Sequence, residues 1–360
     1  MRDQMAAQIK VKVVGVGGAG GNAVRRMAKC GLQGVSLLAV NTDVQALRQL
    51  GGVPTFAIGP RITGGMGSGG SREVSLKAIK ESREQVADLL EGSDMVFITA
   101  GMGGGTGTGA APVVADMARK QGALTVGVVT LPFSFEGPVR RAVAVEGLEH
   151  LQRKVDTVIA VDNDRLLPSL KGKVSLEKAF KLADEILQQG VQGISDILIV
   201  PGLINVDFAD VKAVMANGGP SFMATGEGKG KWAAIDAAHQ VLSNPLFDEP
   251  LEGATGILFN VKGGKDLTLG QVHEVAGIIR KASKSRANVN FGVAQDRRFS
   301  RRVSITLVAT GLSRTSTSAE ESEAVDNAEG LPEPGLLELV ARADGNGHHE
   351  SNLVDTQPLF

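Results

Sequence analysis

The chain has 360 residues, and its 38 basic and 39 acidic side chains give a formal net charge of −1, which offers no case for binding nucleic acid or a membrane surface. The single cysteine, Cys30, excludes an internal disulfide and fits a reducing compartment. Residues 1–10 lack the apolar segment of a signal peptide, and no apolar run approaches the roughly 18 residues that cross a bilayer. We therefore expect a cytoplasmic protein of two domains with no direct membrane insertion.

The first half of the chain alternates short apolar runs with helical patterns. The apolar runs lie at 11–16, 35–40, 53–58, 95–99, 124–130 and 155–161. Such alternation predicts a Rossmann-like α/β domain with a parallel sheet covered on both faces. We place this domain at residues 1–174.

A long helix is predicted next, because apolar residues recur at steps of three and four from Leu176 to Leu198. Ser175 is suited to cap its start, and Pro201 with Gly202 ends it. We treat residues 175–200 as a central helix and 201–312, with further strands at 256–261, 289–294 and 303–310, as a second α/β domain. Residues 313–360 are acidic and polar, and we expect them to be disordered.

The first glycine motif, Gly15 to Gly20, follows a strand, opens a helix predicted from Asn22, and satisfies G-x-G-x-x-G. It is typical of a dinucleotide-binding turn, with Asp43 after the second strand as a ribose ligand. A tight turn without a ligand is the alternative. Since helix N-termini attract anions, we favour a phosphate role and leave the nucleotide open.

The second glycine motif, residues 101–109, lies between a predicted strand and a helix predicted to start near Ala110, with Pro112 in its first turn. Its backbone N–H groups form a nest that can hold a triphosphate without a lysine. A third run, 64–70, precedes the charged stretch 71–91, whose spacing predicts a helix, and is placed to touch the terminal phosphate. A dehydrogenase needs only one such loop, and the P-loop sequence G-x-x-x-x-G-K-[ST] is absent.

These motifs, in this order, resemble the tubulin superfamily and within it the FtsZ family. The resemblance covers about Val11 to Leu312 and rests on four stretches: 103–109, 41–43 (Asn-Thr-Asp), 132–137 (Pro-Phe-Ser-Phe-Glu-Gly) and 163–167 (Asn-Asp-Arg-Leu-Leu). It implies a GTPase that polymerises into cytoskeletal filaments of the division ring, with GTP or GDP and Mg²⁺ as ligands.

The resemblance also implies which residues contact GTP. They are Gly18, Ala19, Gly20, Gly21, Asn22, Gly67, Ser68, Gly69, Gly103, Gly104, Gly105, Thr106, Gly107, Glu136, Arg140, Asn163, Phe180 and Asp184. The chemistry of Asp184 agrees with guanine, since a carboxylate accepts two hydrogen bonds and guanine offers N1–H and a 2-amino group. Without the resemblance, Asp184 and Phe180 would be read as a solvated helix face and core.

A third motif, residues 202–210, follows the long helix and contains Asn205, Asp207 and Asp210. One reading is a helix start capped by Asp207. The other uses geometry: about 24 Å of helix separates Asp184 from this loop, so its carboxylates are poorly placed for the nucleotide of their own chain. In a head-to-tail stack they can reach the nucleotide of the next subunit. The resemblance implies that these three residues are catalytic, positioning the attacking water.

Three departures from the family pattern matter. Pro138 and Val139 replace a basic pair before Arg140, the run 68–71 lacks an Asn-Pro, and the last residues, 355–360, are an altered form of a peptide that docks on membrane tethers. The predicted partners are other copies of the chain, with tether or regulator proteins through this tail. The scattered histidines predict no protein metal site. The rival readings are an NAD(P)-dependent oxidoreductase and a structural filament protein that does not hydrolyse nucleotide.

Overall fold

The computed structural model describes residues 9–32, 34–169, 175–200, 202–244, 246, 251–283 and 287–312. Within them the strands are β1 (Val11–Val16), β2 (Val35–Asn41), β3 (Thr55–Ala57), β4 (Met95–Gly101), β5 (Leu124–Leu131), β6 (Thr157–Asp162), β7 (Gly202–Ile204), β8 (Gly219–Lys229), β9 (Gly256–Gly263), β10 (Asn288–Gln295) and β11 (Arg302–Thr310). The helices are α1 (Gly17–Cys30), α2 (Val44–Arg48), α3 (Pro60–Thr63), α4 (Arg72–Glu81), α5 (Arg83–Leu90), α6 (Gly105–Lys120), α7 (Pro138–Gln152), α8 (Leu176–Ile199), α9 (Phe208–Met215), α10 (Ala233–Leu242) and α11 (Leu269–Ala282).

The strands form one sheet in the order β3-β2-β1-β4-β5-β6-β8-β11-β9-β10-β7. The first six are parallel, and α1 and α8 cover one face while α4, α5, α6 and α7 cover the other. Their apolar side chains are therefore buried on both sides, as expected for a parallel sheet. The carboxyl ends of these strands meet at one edge, where the glycine-rich turns lie.

The long helix α8 connects the two halves of the chain. Ser175 caps it, since its Oγ accepts the N–H of Lys178 at 3.3 Å. Its buried Leu187, Val191 and Ile194 share one core with side chains of β1, β4, β5 and β11. The helix is thus fixed against both halves.

The second half is built on β11, which pairs antiparallel with both β8 and β9, and α10 and α11 pack on this part of the sheet. β8 also pairs in parallel with the start of β6, Thr157 opposite Gly219. The parallel-sheet domain and the second α/β domain of the predicted fold are confirmed.

Two strands, β7 and β8, were not predicted. β8 contains Pro220 and several glycines, which disfavour a strand, yet these glycines let α10 approach closely. A Cβ added to Gly228 would lie 1.9 Å from the carbonyl oxygen of Ala233, and one on Gly226 would lie 2.3 Å from that of Ala237.

Three predicted helix limits were wrong. α1 begins at Gly17 rather than Asn22, α6 begins at Gly105 with Pro112 in its interior, and the helix predicted over 71–91 breaks at Ser82. Glycine disfavours helix, but close packing at the starts of α1 and α6 overrides that preference. The domain limits stay predictions, and residues 313–360, predicted to be a disordered tail, lie outside the described residues.

Replacing Asp156 with Ala is expected to lower the free energy of unfolding by about 2–3 kcal/mol, because a largely buried charged acceptor is lost. Its Oδ2 accepts the N–H of Thr125 at 2.9 Å and its hydroxyl at 2.7 Å, which ties β5 to the start of β6. Urea unfolding would measure the change. The exposed Asp88→Ala variant, as control, should shift the midpoint little, and an equal shift in both would contradict the assignment.

Candidate functional site

A cleft of about 400 Å³ opens at the carboxyl edge of the parallel sheet. Its floor is made by the turns that follow β1 and β4 and open α1 and α6, and its walls by the segments after β2 and β5 and the start of α8. Fourteen of the eighteen residues predicted to bind nucleotide line it: Gly18, Ala19, Gly67, Ser68, Gly69, Gly104, Gly105, Thr106, Gly107, Glu136, Arg140, Asn163, Phe180 and Asp184.

The other four predicted residues do not line the cleft. They are Gly20, Gly21, Asn22 and Gly103. Gly20 permits helix–strand contact, since a Cβ there would lie 2.3 Å from the carbonyl oxygen of Thr99. Gly103 has a φ of +89° and packs on Arg140, where a Cβ would lie 2.7 Å from the carbonyl oxygen. These glycines shape the floor, and Asn22 is exposed beside it.

The N-terminus of α6 supplies free backbone N–H groups to the cleft. Gly105, Thr106 and Gly107 form its first turn and have no helical carbonyl partner for their N–H groups. The N-cap, Gly104, gives no side-chain hydrogen bond, and the first turn contains no acidic residue. This helix end is therefore available to an anion.

The N-terminus of α1 lies beside that of α6. Gly17 has a φ of +76°, and a Cβ there would lie 3.0 Å from the backbone nitrogen of Gly107. α1 also lacks a side-chain cap and an acidic first turn. A Cβ on Gly18 would meet nothing within 4 Å, so that backbone faces open space. Two positive helix ends thus converge where Arg140 is the one cation among the described lining residues.

The opposite end of the cleft is built by α8. Asp184 is largely buried, and burial raises the pKa of its carboxyl, an effect that the guanidinium of Arg26 at 3.2 Å only partly offsets. Phe180 presents a half-exposed ring that meets Phe133 edge-on. The Oδ1 of Asn163 is buried and has no hydrogen-bond partner within the described part of the chain. An unmet acceptor beside an exposed ring fits a flat polar ligand.

Asn205, Asp207 and Asp210 form a separate exposed group at the start of α9. Asp207 is the N-cap of α9, and its Oδ1 accepts the N–H of Asp210 at 2.7 Å while Asp210 Oδ2 lies 3.4 Å from the N–H of Asp207. Asn205 Oδ1 accepts the N–H of Gly202 at 2.7 Å. The capping interpretation of Asp207 is confirmed, and the cap orients both carboxylates.

This group lies at the other edge of the parallel sheet. A Cβ on Gly34, just before β2, would lie 2.7 Å from Ile199 at the end of α8. Thr157, the first residue of β6, donates its hydroxyl hydrogen to the carbonyl oxygen of Met215 at the end of α9. From Asp184 to Ile199 the helix rises about 22 Å. The carboxylates of one chain therefore lie far from its own cleft.

Comparison with known proteins agrees with this architecture. The family model for the GTPase domain of the Tubulin/FtsZ family matches residues 10–171, and that for the C-terminal domain of the FtsZ family matches 219–313. An empty FtsZ dimer from M. jannaschii is 43% identical, with a TM-score of 0.81 over 85% of this chain and 89% of that one. The chain belongs to the tubulin/FtsZ family.

Two less similar solved structures share the fold. CetZ2 from Haloferax volcanii, solved as a GTPγS-bound protofilament, is 22% identical, with a TM-score of 0.74 over 89% of this chain and all of that one. CetZ1 from the same organism, a GDP-bound monomer, is also 22% identical, with a TM-score of 0.75 over 89% of this chain and 99% of that one.

The departure at Pro138 and Val139 leaves Arg140 at the cleft of this tubulin/FtsZ-family protein. Arg140 Nη1 lies 3.3 Å from Glu136 Oε2, and Glu136 Oε1 accepts the N–H of Phe133 at 2.9 Å. The next residue, Arg141, pairs with Asp162 through both nitrogens of its fork. Burial opposes ionisation of Asp162, but the Arg141 bonds prevail and lower its pKa. The start of α7 is thus anchored to β6.

Several residues of the cleft were not predicted as GTP ligands, among them Asn41, Thr42, Met66, Gly70, Thr130 and Pro132. Asp43, which also lines the cleft, was predicted only as the ribose ligand of a dinucleotide-binding turn. The position of 41–43 is a usable signal, because they follow β2, which lies beside β1. Thr42 Oγ1 is 2.8 Å from Thr106 Oγ1. The Asp43 carboxylate is already engaged as the cap of α2, accepting the N–H groups of Gln45 and Ala46.

The described ranges contain no group of three or more His, Cys, Asp or Glu residues that could hold a metal ion. They also contain no helix that is long and apolar enough to cross a membrane. The hydroxyls of Thr42, Ser68 and Thr106 lie together at the cleft. Such a site fits Mg²⁺ when phosphate oxygens and water supply most of its ligands.

Proposed function

We propose that this chain is a GTP-hydrolysing filament protein of FtsZ type, whose active site is completed between subunits. The observation that carries the proposal is the separation of the cleft from the exposed carboxylates, which lie at opposite edges of the parallel sheet. Repeated head-to-tail stacking brings each cleft to the carboxylates of another copy. The FtsZ dimer and the CetZ2 protofilament support association of this kind.

In this proposal the phosphates of GTP lie on the N-termini of α1 and α6, which attract negative charge without a lysine. The base lies against Phe180. Asp184 accepts hydrogen bonds from guanine N1–H and the 2-amino group, a donor pair that adenine lacks. The unpartnered Oδ1 of Asn163 accepts a further hydrogen bond from the ligand.

Mg²⁺ would be held by phosphate oxygens, water and the hydroxyls at Thr42, Ser68 and Thr106, and it would neutralise phosphate charge. Asp210 of the neighbouring subunit orients the attacking water and takes its proton as the bond to the terminal phosphoryl group breaks. Asp207 positions Asp210 through the cap, and Asn205 holds the loop through Gly202. The products are GDP and phosphate.

The rival readings fit less well. An NAD(P)-dependent oxidoreductase needs one glycine turn, whereas here two helix ends meet in one cleft. The presence of Asn205, Asp207 and Asp210, which the family resemblance implies to be catalytic, argues against a filament protein without hydrolysis. We further propose a role in the division ring at the division site, rather than a CetZ-like role, with tethering through the tail residues 355–360. The FtsZ C-terminal model at 219–313 supports this choice.

Electron microscopy and sedimentation with GTP, GDP, a non-hydrolysable GTP analogue and NAD test the proposal. We expect filaments with GTP that disappear as it is consumed, and filaments that persist with the analogue. Filaments that outlast GTP would indicate a structural protein. Binding of NAD in preference to GTP would reject the nucleotide assignment.

A further inference from the structure

Arg26 lies outside the described residues that line the cleft, yet it contacts one that does. Its Nη2 donates a hydrogen bond to Asp184 Oδ2 at 3.2 Å. The two side chains meet because α1 and α8 pack together on one face of the parallel sheet. Arg26 therefore acts on the cleft through the carboxylate of Asp184.

The helix that carries Arg26 extends along the cleft. α1 begins at Gly17, where its N-terminus lies beside that of α6. Arg26 follows nine residues later, about 14 Å along the helix. α1 thus has its N-terminus at the end proposed for the phosphates and a side chain behind the end proposed for the base.

The contact leaves the carboxylate of Asp184 with capacity for a ligand. An ionised carboxylate has two oxygens with about four acceptor positions, and Arg26 uses one of them, on Oδ2. The two donors of guanine, N1–H and the 2-amino group, need one position on each oxygen. A protonated carboxyl instead turns an O–H donor toward one of these donors, so recognition of guanine requires the ionised form.

Asp184 lies where its ionisation is opposed. Its side chain is only 16% exposed, and burial raises the pKa of its carboxyl. Arg26 is the strongest influence in the opposite direction, Arg25 of α1 acts the same way through its charge alone, and Glu185 of α8 opposes both. The described lining of the cleft has three further charged side chains, those of Asp43, Glu136 and Arg140. Arg26 is therefore the main group that keeps Asp184 a double acceptor.

We expect this ion pair to contribute little to the stability of the fold. Arg26 Nε is buried and has no hydrogen-bond partner within the part of the chain that the structure describes. An ion pair that is largely buried and leaves a donor unmet loses much of its Coulomb attraction to desolvation. The ligand that Asp184 faces explains the pair better than stability does.

We propose that Arg26 is a positioning residue for base recognition, which fixes the carboxylate of Asp184 from behind the cleft as a double acceptor without contacting the nucleotide. This inference rests on the proposed function, in which Asp184 binds guanine. The choice of base then depends on the packing of two helices, α1 and α8, rather than on one side chain.

Equilibrium binding of GDP, which carries the same base and is not hydrolysed, tests the proposal at about pH 8 and about pH 5.5. The variants are Arg26→Gln, Arg26→Lys and the exposed Lys29→Gln, which removes one positive charge from the same helix as a matched control. Arg26→Met fills similar space without a charge and takes the place of Arg26→Gln if that variant does not fold. Circular dichroism verifies the fold of each variant. Titration of the phosphates is common to all of them and cancels when each affinity is divided by that of the wild type.

We expect Arg26→Gln to weaken GDP binding about threefold or more beyond its effect at the higher pH when the pH is lowered, because more of the Asp184 carboxyl is then protonated. Arg26→Lys keeps the charge and should restore most of this difference. Lys29→Gln should bind GDP like the wild type at both pH values. Combined with Asp184→Asn, the Arg26→Gln change should add no loss that depends on pH, because an amide does not titrate.

An equal loss of affinity at both pH values would overturn the proposal, since a merely structural role of Arg26 does not depend on pH. Unchanged binding by Arg26→Gln at both pH values would overturn it as well. Wild-type affinity of Asp184→Asn for GDP would instead reject the base contact of the proposed function, and this inference with it. The behaviour of Asp184→Asn therefore distinguishes the two failures.

Discussion

Replacing Asp210 with Asn is expected to slow GTP hydrolysis by about 100-fold or more while leaving GTP affinity unchanged. Asn keeps an acceptor oxygen of the same shape, so the contact with the N–H of Asp207 is retained. It removes the negative charge that, in the proposed mechanism, orients the water and receives its proton. Phosphate release measures the rate, and equilibrium binding to the unassembled protein measures affinity.

The matched control for this variant is Asp236→Asn. Asp236 is also an exposed carboxylate in the first turn of a helix, α10. It should hydrolyse GTP at the wild-type rate, and sedimentation should show that both variants still assemble. Wild-type hydrolysis by Asp210→Asn would show that this carboxylate takes no part in the reaction.

A mixing experiment separates catalysis between subunits from catalysis within one. Gly104→Asp blocks the cleft without disturbing the fold, because Gly104 has an ordinary extended backbone (φ −91°, ψ 165°) and a Cβ there meets nothing within 4 Å. Asp is a preferred N-cap residue, so its carboxylate would occupy the first N–H groups of α6 and repel phosphate. Alone, this variant should neither bind nor hydrolyse GTP.

Mixing Gly104→Asp with Asp210→Asn should restore hydrolysis, although each is inactive alone. The first variant supplies an intact Asp210 and the second an intact cleft, so head-to-tail pairs in one order contain a complete site. Activity should rise to a maximum at an intermediate mixing ratio. A mixture that co-sediments but stays inactive would contradict an active site shared between subunits.

The sequence predicted the parallel half of the fold well because its strands are continuous apolar runs flanked by glycine turns. It failed where packing overrides local preference. Gly226 and Gly228 look like breakers in β8, yet their missing side chains admit α10. The early starts of α1 and α6 have the same cause, because glycines in a first turn are read as loop.

Only part of the site was predicted correctly, because the local sequence does not show how helices pack. Residues that follow a strand could be placed at the carboxyl edge from topology alone, and Gly18, Gly105 and Thr106 do lie there. Gly20 belongs to the same motif but packs on β4, which only the helix position reveals. The partner of Asp184 could not be foreseen, since Arg26 lies 158 residues away and meets it only when α1 and α8 pack together.

Replacing Asp184 with Asn is expected to reverse the choice of base. An ionised Asp184 pairs with two donors of guanine, whereas an amide offers one donor and one acceptor, which match the 2-carbonyl and N1–H of xanthine. GTP affinity should fall about 100-fold, since two hydrogen bonds to a charged group are lost. The affinity of the variant for XTP should then exceed its affinity for GTP. Competition binding of GTP, XTP and ATP measures this change.

Asp196→Asn is the matched control, because Asp196 lies on the same helix, is similarly buried, has a raised pKa for the same reason and also pairs with a cation, Lys262. It should leave base preference unchanged.

The raised pKa of Asp184 adds a test by pH. In the proposed site GTP binds the ionised carboxylate, so affinity in the wild type should decline on acidification at a pH above the ordinary titration of aspartate, near 3.8. Binding of XTP to Asp184→Asn should lack this decline, because an amide does not titrate. The base would lie elsewhere in the cleft if Asp184→Asn lowered the affinity for GTP without raising that for XTP, and if its remaining GTP binding still declined with acid.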